Sequence, residues 1–373
     1  MVQILPALNA GGVERGTVEF AREMVKRGIR SVVISNGGAM EEQLRQEGTE
    51  HIQLPVHRKS LRSLLWIKAL RSTLEDLNPD IVHVRSRIPA WMTWLAWKSM
   101  KADNRPGLVS TFHGLYSVNV YSAIMGKAQR VIAISDCVHR YILDNYNVDP
   151  AIITRIYRGL DPLSFNPAAC DEPWRQAFFQ EYPRLAGKKL ILMPGRLSRW
   201  KGQEAFIEMM SHLVRLVPDA HGLVVGGAES NKQHYLDELR EQSKKAGLEH
   251  QISFLGHRPD IQAFYGLVDV TCHMSSKPEP FGRTVPEALA TGCPVVAYDR
   301  GGAAESLQQA LPEGLVPPDD TGLFAQRVSE FLQSPPGNIQ LPGEFYLGSQ
   351  VDRTLGVYRD LLSEISPSRA DLL

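Results

Sequence analysis

Glu279 and Glu287 lie eight positions apart, with Pro280-Phe281-Gly282-Arg283-Thr284-Val285-Pro286 between them. Ser275-Ser276 precedes this stretch. Ala288-Leu289-Ala290, the turn Thr291-Gly292-Cys293-Pro294 and the apolar run Val295-Val296-Ala297 follow it. The pattern predicts a Phe-Gly turn, a short helix, a Gly-Pro turn and a buried strand. Backbone N–H groups of such a loop and helix start can hold a diphosphate. The two carboxylates can accept hydrogen bonds from hydroxyls on either side of it. A nucleotide sugar has this chemistry, with hydroxyls at both ends and charge in the middle.

Four further runs carry chemistry. Gly195-Arg196-Leu197-Ser198-Arg199-Trp200-Lys201-Gly202 follows the apolar run at 190–193. Arg196 and Lys201 stand five apart across a turn, so both can converge on one pair of phosphates, Arg as a planar fork and Lys as a mobile charge. A diphosphate leaving group needs that neutralisation as its bond breaks; a solvated basic loop is the plain alternative. Gly11-Gly12-Val13-Glu14 follows the first apolar run, where glycines let the backbone approach a ligand and a helix start faces an anion. It lacks the GxGxxG dinucleotide fingerprint, and no acidic residue ends the second strand. A tight strand–helix turn is the plain alternative. His113, in Thr111-Phe112-His113-Gly114, can bond a sugar hydroxyl or present its carbonyl to a reacting centre. In Asp299-Arg300-Gly301-Gly302-Ala303-Ala304-Glu305, the glycine pair would let the loop pack on a ligand or on the signature loop. Arg158-Gly159-Leu160-Asp161 sits at a presumed hinge, with Asp161 capping the turn.

These runs need elements to hold them. Apolar β-branched strands at 2–5, 31–35, 52–54, 81–84, 108–111 and 131–134 alternate with helices at 14–27, 40–46, 61–77 and 90–100. A second cycle places strands at 190–193, 222–225, 252–255, 268–272 and 294–298 among helices at 203–216, 234–246 and 260–266. Such alternation predicts parallel sheets covered on both faces. The fold class is therefore α/β, as two facing Rossmann-like domains with a cleft at the carboxyl ends of their strands. The expected boundaries are residues 1–163 for the first domain, with a C-terminal helix from about 345 to 373 crossing back, and 164–344 for the second. Residues 334–343 read as a loop, 351–365 as an amphipathic helix and 366–373 as a frayed tail.

The chain has 373 residues, 43% hydrophobic and 22% charged, as in an ordinary soluble protein. Cys137, Cys170, Cys272 and Cys293 form no CxxC pair, which argues against a zinc site or a disulfide framework. No signal-peptide pattern and no run of ~20 apolar residues is seen, so a cytoplasmic location is expected. Zero net charge hides an asymmetry: residues 1–165 carry 21 Lys/Arg against 15 Asp/Glu, and residues 166–373 carry 20 against 26. Such a split suggests that the first half meets an anionic surface or acceptor. Residues 58–71 hold five basic residues, no acid, and apolar residues at helical spacing. That fits a helix at an anionic bilayer, with Trp91, Trp94 and Trp97 adding to it, so peripheral contact with the inner face of the cell membrane is expected. A core-facing helix with a solvated basic face is the alternative. Nucleic acid is not an expected partner.

Taken together, Glu279…Glu287, the run at 195–202, Gly11-Gly12-Val13-Glu14 and Val131-Ile132-Ala133-Ile134-Ser135 resemble the retaining glycosyltransferases of family 4, which have the GT-B fold. The resemblance spans nearly the whole chain, in order. The run His83-Val84-Arg85-Ser86-Arg87-Ile88-Pro89-Ala90-Trp91 resembles a bacterial subgroup linked to lipopolysaccharide and other envelope glycans. The resemblance implies that Arg196 and Lys201 bind the donor diphosphate, Glu287 accepts from the ribose, and Glu279 holds the transferred sugar. Phe281 and Gly282 would touch sugar or phosphate, with Arg283 and Thr284 beside them. Gly12 would approach the phosphate from the other domain, His113 would lie near the anomeric carbon, and His257 and Arg258 would border the nucleobase. Arg283 departs from the aliphatic residue of many relatives, and Arg158-Gly159-Leu160-Asp161 from their Asn-Gly-Val-Asp. The implied activity is metal-independent, retaining, hexosyltransferase-type transfer from a nucleotide sugar, UDP-sugar before GDP-sugar, to an envelope glycan or glycolipid such as lipopolysaccharide core. The expected catalytic set is His113, Glu279, Arg196 and Lys201, without cofactor or metal. A nucleotide-sugar epimerase of the same fold and a non-catalytic nucleotide-sugar-binding subunit are the alternatives.

Overall fold

The computed structural model describes residues 1–9, 11–57, 63–227 and 233–365. The chain divides into two compact units, Met1–Gly159 with the chain from Tyr346, and Leu160–Phe345.

The first unit runs β1 (Val2–Ile4), α1 (Gly12–Lys26), β2 (Val32–Ser35), α2 (Glu41–Gln46), β3 (Glu50–Gln53), α3 (Ser63–Leu77), β4 (Ile81–Val84), α4 (Arg87–Ser99), β5 (Gly107–Phe112), β6 (Arg130–Ala133), α5 (Asp136–Asn145) and β7 (Ile153–Arg155). Its seven strands lie in the order β3-β2-β1-β4-β5-β6-β7, every pair parallel. Buried, β-branched strands such as Val32–Ser35 are what a sheet covered on both faces requires.

The second unit runs α6 (Glu172–Glu181), β8 (Lys189–Pro194), α7 (Gln203–Leu216), β9 (Ala220–Val225), α8 (Gln233–Lys245), β10 (Ile252–Gly256), α9 (Ile261–Leu267), β11 (Val270–His273), α10 (Thr284–Ala290), β12 (Val295–Tyr298), α11 (Gly302–Ala310), β13 (Leu315–Val316) and α12 (Thr321–Gln333). Its six strands, also parallel, take the order β10-β9-β8-β11-β12-β13. Counting from each unit's first strand, both sheets begin 3-2-1-4-5-6, the doubly wound order.

The last helix, α13 (Leu347–Ile365), belongs to the first unit. Leu347, Val351, Leu355, Tyr358 and Leu362 recur at helical spacing and pack with Phe20, Met24, Val109 and Ile132. Each such buried side chain contributes about 1.5–3 kcal/mol. Ile365, expected on the same face, is 40% exposed because the stripe ends at Leu362. The Tyr358 hydroxyl also meets His83 Nδ1 at 2.6 Å, and His83 Nε2 meets Thr111 Oγ1 at 2.6 Å, so buried polar atoms join α13 to β4 and β5. Gly159 N–H donates to Gln350 Oε1 at 2.6 Å in this unit, and Leu160 N–H donates to the Phe345 carbonyl at 2.9 Å in the second.

Several elements differ from expectation. α4 begins at Arg87 rather than at Ala90, because Pro89 falls within the first turn, where its missing N–H has no helical partner to lose. α13 begins at Leu347 rather than at Val351. α5, α6, α11, α12, β7 and β13 have no counterpart in the periodicity reading. The short strands give too little pattern, and α6 and α12 open on side-chain caps at Asp171 and Asp320 beside polar, Pro-containing stretches.

The basic stretch at 58–71 is partly outside the described residues, as is the tail at 366–373. On α3, Leu65 and Trp66 are exposed. Two of the three tryptophans of α4 are tied inward: Trp91 Nε1–H donates to the Tyr121 carbonyl at 2.9 Å and Trp97 Nε1–H to the Pro106 carbonyl at 2.8 Å. Those indoles serve the packing of their own unit. Among the described residues, no helix is long and apolar enough to cross a membrane.

Candidate active site

Glu279 is the centre of the second unit's polar cluster. Lys201, at the end of the loop after β8, places Nζ 2.8 Å from Glu279 Oε1. The Ser275 hydroxyl donates to the same oxygen, and His273 Nε2, from the last residue of β11, lies 3.3 Å away. His273 Nδ1 meets the Thr284 hydroxyl at 3.0 Å. Glu279 is only 6% exposed. Burial alone would raise its carboxyl, but His273, Lys201 and Ser275 outweigh that and hold it below the ordinary glutamate value. His273 is pushed down by burial, with Lys201 adding to the effect and Glu279 opposing it.

Backbone geometry sets these distances. Gly202 adopts φ +90° as the N-cap of α7, and its Cα faces the Met274 backbone so closely that a Cβ would overlap it. This close approach lets the Lys201 loop meet the strand end that carries Ser275. Gly301, at φ +67°, has the Glu279 backbone where a Cβ would stand, 2.7 Å from its nitrogen and 2.8 Å from its oxygen. Gly302 N–H donates to the Glu279 carbonyl at 2.7 Å. The Gly301-Gly302 pair therefore packs on the signature loop, one of its two expected partners.

Glu287 forms a second carboxylate site on α10. Tyr265 OH donates to its Oε2 at 3.0 Å and Arg283 Nε to its Oε1 at 2.6 Å. Burial, with Glu287 beside it, keeps the Tyr265 phenol protonated. Each carboxylate oxygen keeps a further lone pair, so Glu287 arrives oriented and still able to accept. Phe281 is buried, its ring 6.4 Å from that of Phe345, and Gly282 takes φ +69° beside it.

The remaining expected residues separate. Arg196 has an exposed side chain, and its carbonyl is held by Gln203 Nε2 at 3.1 Å. His257 lines a cavity of about 290 Å³ with Leu197, Val224, Gly227 and Phe254, at the carboxyl ends of β9 and β10. Arg258 turns elsewhere, forking onto Asp260 at 2.9 and 2.8 Å, and that guanidinium holds the Asp260 carboxyl down at about 2. Arg258 thus fixes the turn before α9. In the first unit, Gly12 opens α1, and His113 follows β5, its amide donating to Tyr116 OH at 3.3 Å. Asp161 caps its turn, accepting from Leu163 N–H at 3.0 Å.

His273 and Tyr265 were not singled out in the sequence. His273 carries a usable signal, since it is the last residue of a strand immediately before the signature loop. Tyr265 carries none, lying on α9 twenty-two residues from its partner.

Two doubly wound parallel domains, one with a Lys–Glu pair where its strands end, define an α/β class whose ligands bind beyond the carboxyl ends of the strands. The comparisons narrow it. Residues 175–341 match the model for glycosyl transferases group 1, and residues 10–162 match that for glycosyltransferase family 4. A solved glycosyltransferase from Rickettsia africae ESF-5 superposes with a TM-score of 0.82 at 29% identity, covering 97% of this chain and 98% of that one. Anabaena Alr3699/HepE, solved in complex with UDP-glucose, superposes with a TM-score of 0.75 at 22% identity over 98% and 99%. The lipopolysaccharide core biosynthesis mannosyltransferase LpsB of Rhizobium meliloti (strain 1021) is 30% identical over 49% of this chain and 51% of its own length. The chain belongs to the family 4 type of GT-B glycosyltransferases and is a glycosyltransferase enzyme.

Proposed function

We propose that this glycosyltransferase moves a sugar from a nucleoside diphosphate to a hydroxyl of an envelope glycan or glycolipid, without a metal and with retention at the anomeric carbon. The observation that carries the reading is the pair of half-buried Lys201 and buried Glu279, 2.8 Å apart, with His273 and Ser275 at the same carboxylate oxygen. Lys201 is the charge that meets the departing diphosphate, aided by Arg196, and the pair does the work a metal would otherwise do. Glu279 holds hydroxyls of the transferred sugar, with Phe281, Gly282 and Thr284 around it. Glu287, oriented by Tyr265 and Arg283, accepts from the ribose. His257 borders the base, while Gly12 and His113 act from the first unit. No nucleophile is assigned for a double displacement. The bond from the anomeric carbon to the phosphate oxygen breaks, that oxygen takes the acceptor's proton, and the acceptor oxygen bonds the carbon on the same face.

The lipopolysaccharide assignment of LpsB supports the acceptor class, and the UDP-glucose bound by HepE makes UDP-sugars the first donors to test. The experiment is thermal stabilisation by UDP-, GDP- and ADP-sugars beside NAD, with Lys201→Ala and Glu287→Ala as controls. A shift with one nucleotide class, lost in both variants, is expected. A shift with NAD alone overturns the reading. Turnover with and without acceptor then separates transfer from epimerisation.

A further inference from the structure

We propose that Arg300 is a positioning residue for the sugar-binding carboxylate of Glu279, acting through the backbone of Ser275 and held in place by Asp319. The inference rests on the transferase reading above and adds to it a side chain from outside the polar cluster.

Ser275 stands two residues beyond the end of β11, so its carbonyl has no place in the ladder of the sheet. Among the described residues, no backbone N–H donates to it. Its donor is Arg300 Nη1, at 3.2 Å, from the loop after β12. Two residues further along that loop, Gly302 N–H donates to the Glu279 carbonyl at 2.7 Å. One short segment, 300–302, therefore grips both ends of the stretch 275–279. The stretch is closed on itself by the Ser275 hydroxyl, which donates to Glu279 Oε1. A shift of Ser275 thus pulls on the same oxygen that Lys201 and His273 meet.

Arg300 is fixed from the other side. Its Nη1 and Nη2 fork onto the Asp319 carboxylate at 3.2 and 2.5 Å, and its guanidinium lies 5.9 Å from the Tyr298 ring centre. Asp319 takes φ +66°, a left-handed backbone that a side chain adopts only where its surroundings hold it there. Pro317 and Pro318 precede it, and Asp320 caps α12 by accepting from Leu323 N–H at 2.8 Å. Prolines on one side and a helix cap on the other leave this turn little freedom.

Stability does not account for the arrangement. The Asp319 side chain is 67% exposed, and an ion pair that open to water adds little to folding. The bond to Ser275 differs in kind, because it gives a charged donor to the carbonyl of a buried residue that has no backbone partner. Losing that donor favours a shift of the loop toward another partner. A planar guanidinium suits the task, since its fork can hold Asp319 while one N–H reaches the carbonyl.

Steady-state kinetics and calorimetry on the whole chain test the role, with UDP and UDP-glucose or the pair that the stabilisation panel selects. The variants are Arg300→Met, Arg300→Lys and Asp319→Asn. In Arg300→Met, kcat should fall about tenfold while affinity for UDP alone changes by less than about twofold, because Lys201 and Glu287 still meet its phosphates and ribose. The acid limb of the kcat profile should move to higher pH. His273, Lys201 and Ser275 hold Glu279 low against burial, and loosening Ser275 removes one of the three. Arg300→Lys can still donate to the carbonyl and should recover most of the turnover and the native acid limb. Asp319→Asn should give a smaller change in the same direction. Native turnover with an unmoved acid limb in Arg300→Met overturns the proposal. So does a loss that Arg300→Lys does not recover, or one matched by an equal loss of UDP affinity. If Arg300→Met fails to fold, Asp319→Asn decides: a lower kcat with a raised acid limb supports the role, and native behaviour overturns it. A native chain that turns over no sugar nucleotide, with or without acceptor, overturns the transferase reading instead, and this role with it.

Discussion

In the second unit, Lys201, Arg283 and Arg258 each have a carboxylate at hydrogen-bond distance, respectively Glu279, Glu287 and Asp260. At the corresponding strand ends of the first unit, Arg85 meets Gln3 and Phe20, and Arg87 meets Ser122 and two tyrosines. The two sheets share one strand order and differ in what stands at the carboxyl ends of the strands. Paired charges hold their geometry before a ligand arrives and keep lone pairs for hydroxyls. Cations with neutral neighbours are held by amides, hydroxyls and rings. Topology positions a site, and side chains at the strand ends decide its electrostatics.

Removing the cation from the paired site is the strongest way to break this comparison. Lys201→Ala should lower turnover by about 10²–10³-fold, since a leaving-group charge and a buried carboxylate both lose their partner. Steady-state kinetics read the loss, and near-normal turnover would remove Lys201 from the diphosphate.

Gly202→Ala tests whether the pairing depends on backbone approach. A side chain at φ +90° against the Met274 backbone should cost about 1–3 kcal/mol or more, read as a lower melting temperature with Lys201 displaced from Glu279. Unchanged stability and turnover would show that the loop has slack.

Acidification sharpens the contrast with a smaller effect. Burial pushes down His83, His113, His221 and His273, His221 to about 4. Their folded-state values lie below the unfolded value of about 6.5, so the unfolded chain takes up protons first. Their contribution to stability is present above that pH and is lost as pH falls toward each folded value. Each contributes a slope of about 1.4 kcal/mol per pH unit in its window. His113 protonates against two arginines and His273 beside Glu279. His113→Gln should therefore flatten the melting profile between pH 7 and pH 5 more than His273→Gln does. The reverse order would mean that the first unit's charges are compensated.

The site was legible to different depths. Glu279, Glu287, Lys201 and His113 could be singled out as candidates because each sits in a run that ends an apolar strand or opens a helix, and such local patterns survive in a linear reading. Arg258 looked equally suitable, yet Asp260, two residues on, captures its guanidinium. Arg283, a departure from many relatives, becomes the clamp of Glu287. Pro89 misled the start of α4, because a proline inside the first turn resembles a helix boundary.

Local pattern thus determined the alternation of strands and helices, the placing of motifs at strand ends and, through both, the family. The tertiary structure alone decided which groups meet. His273 and Lys201 reach one oxygen of Glu279 from separate segments, Tyr265 reaches Glu287 from α9, and Arg158 lies on a helix that starts 146 residues earlier. Strand periodicity and helix caps are set by neighbours within a few residues. Partners are chosen only after sheet order and burial bring distant side chains together, where low dielectric and lost hydration decide which of them must pair.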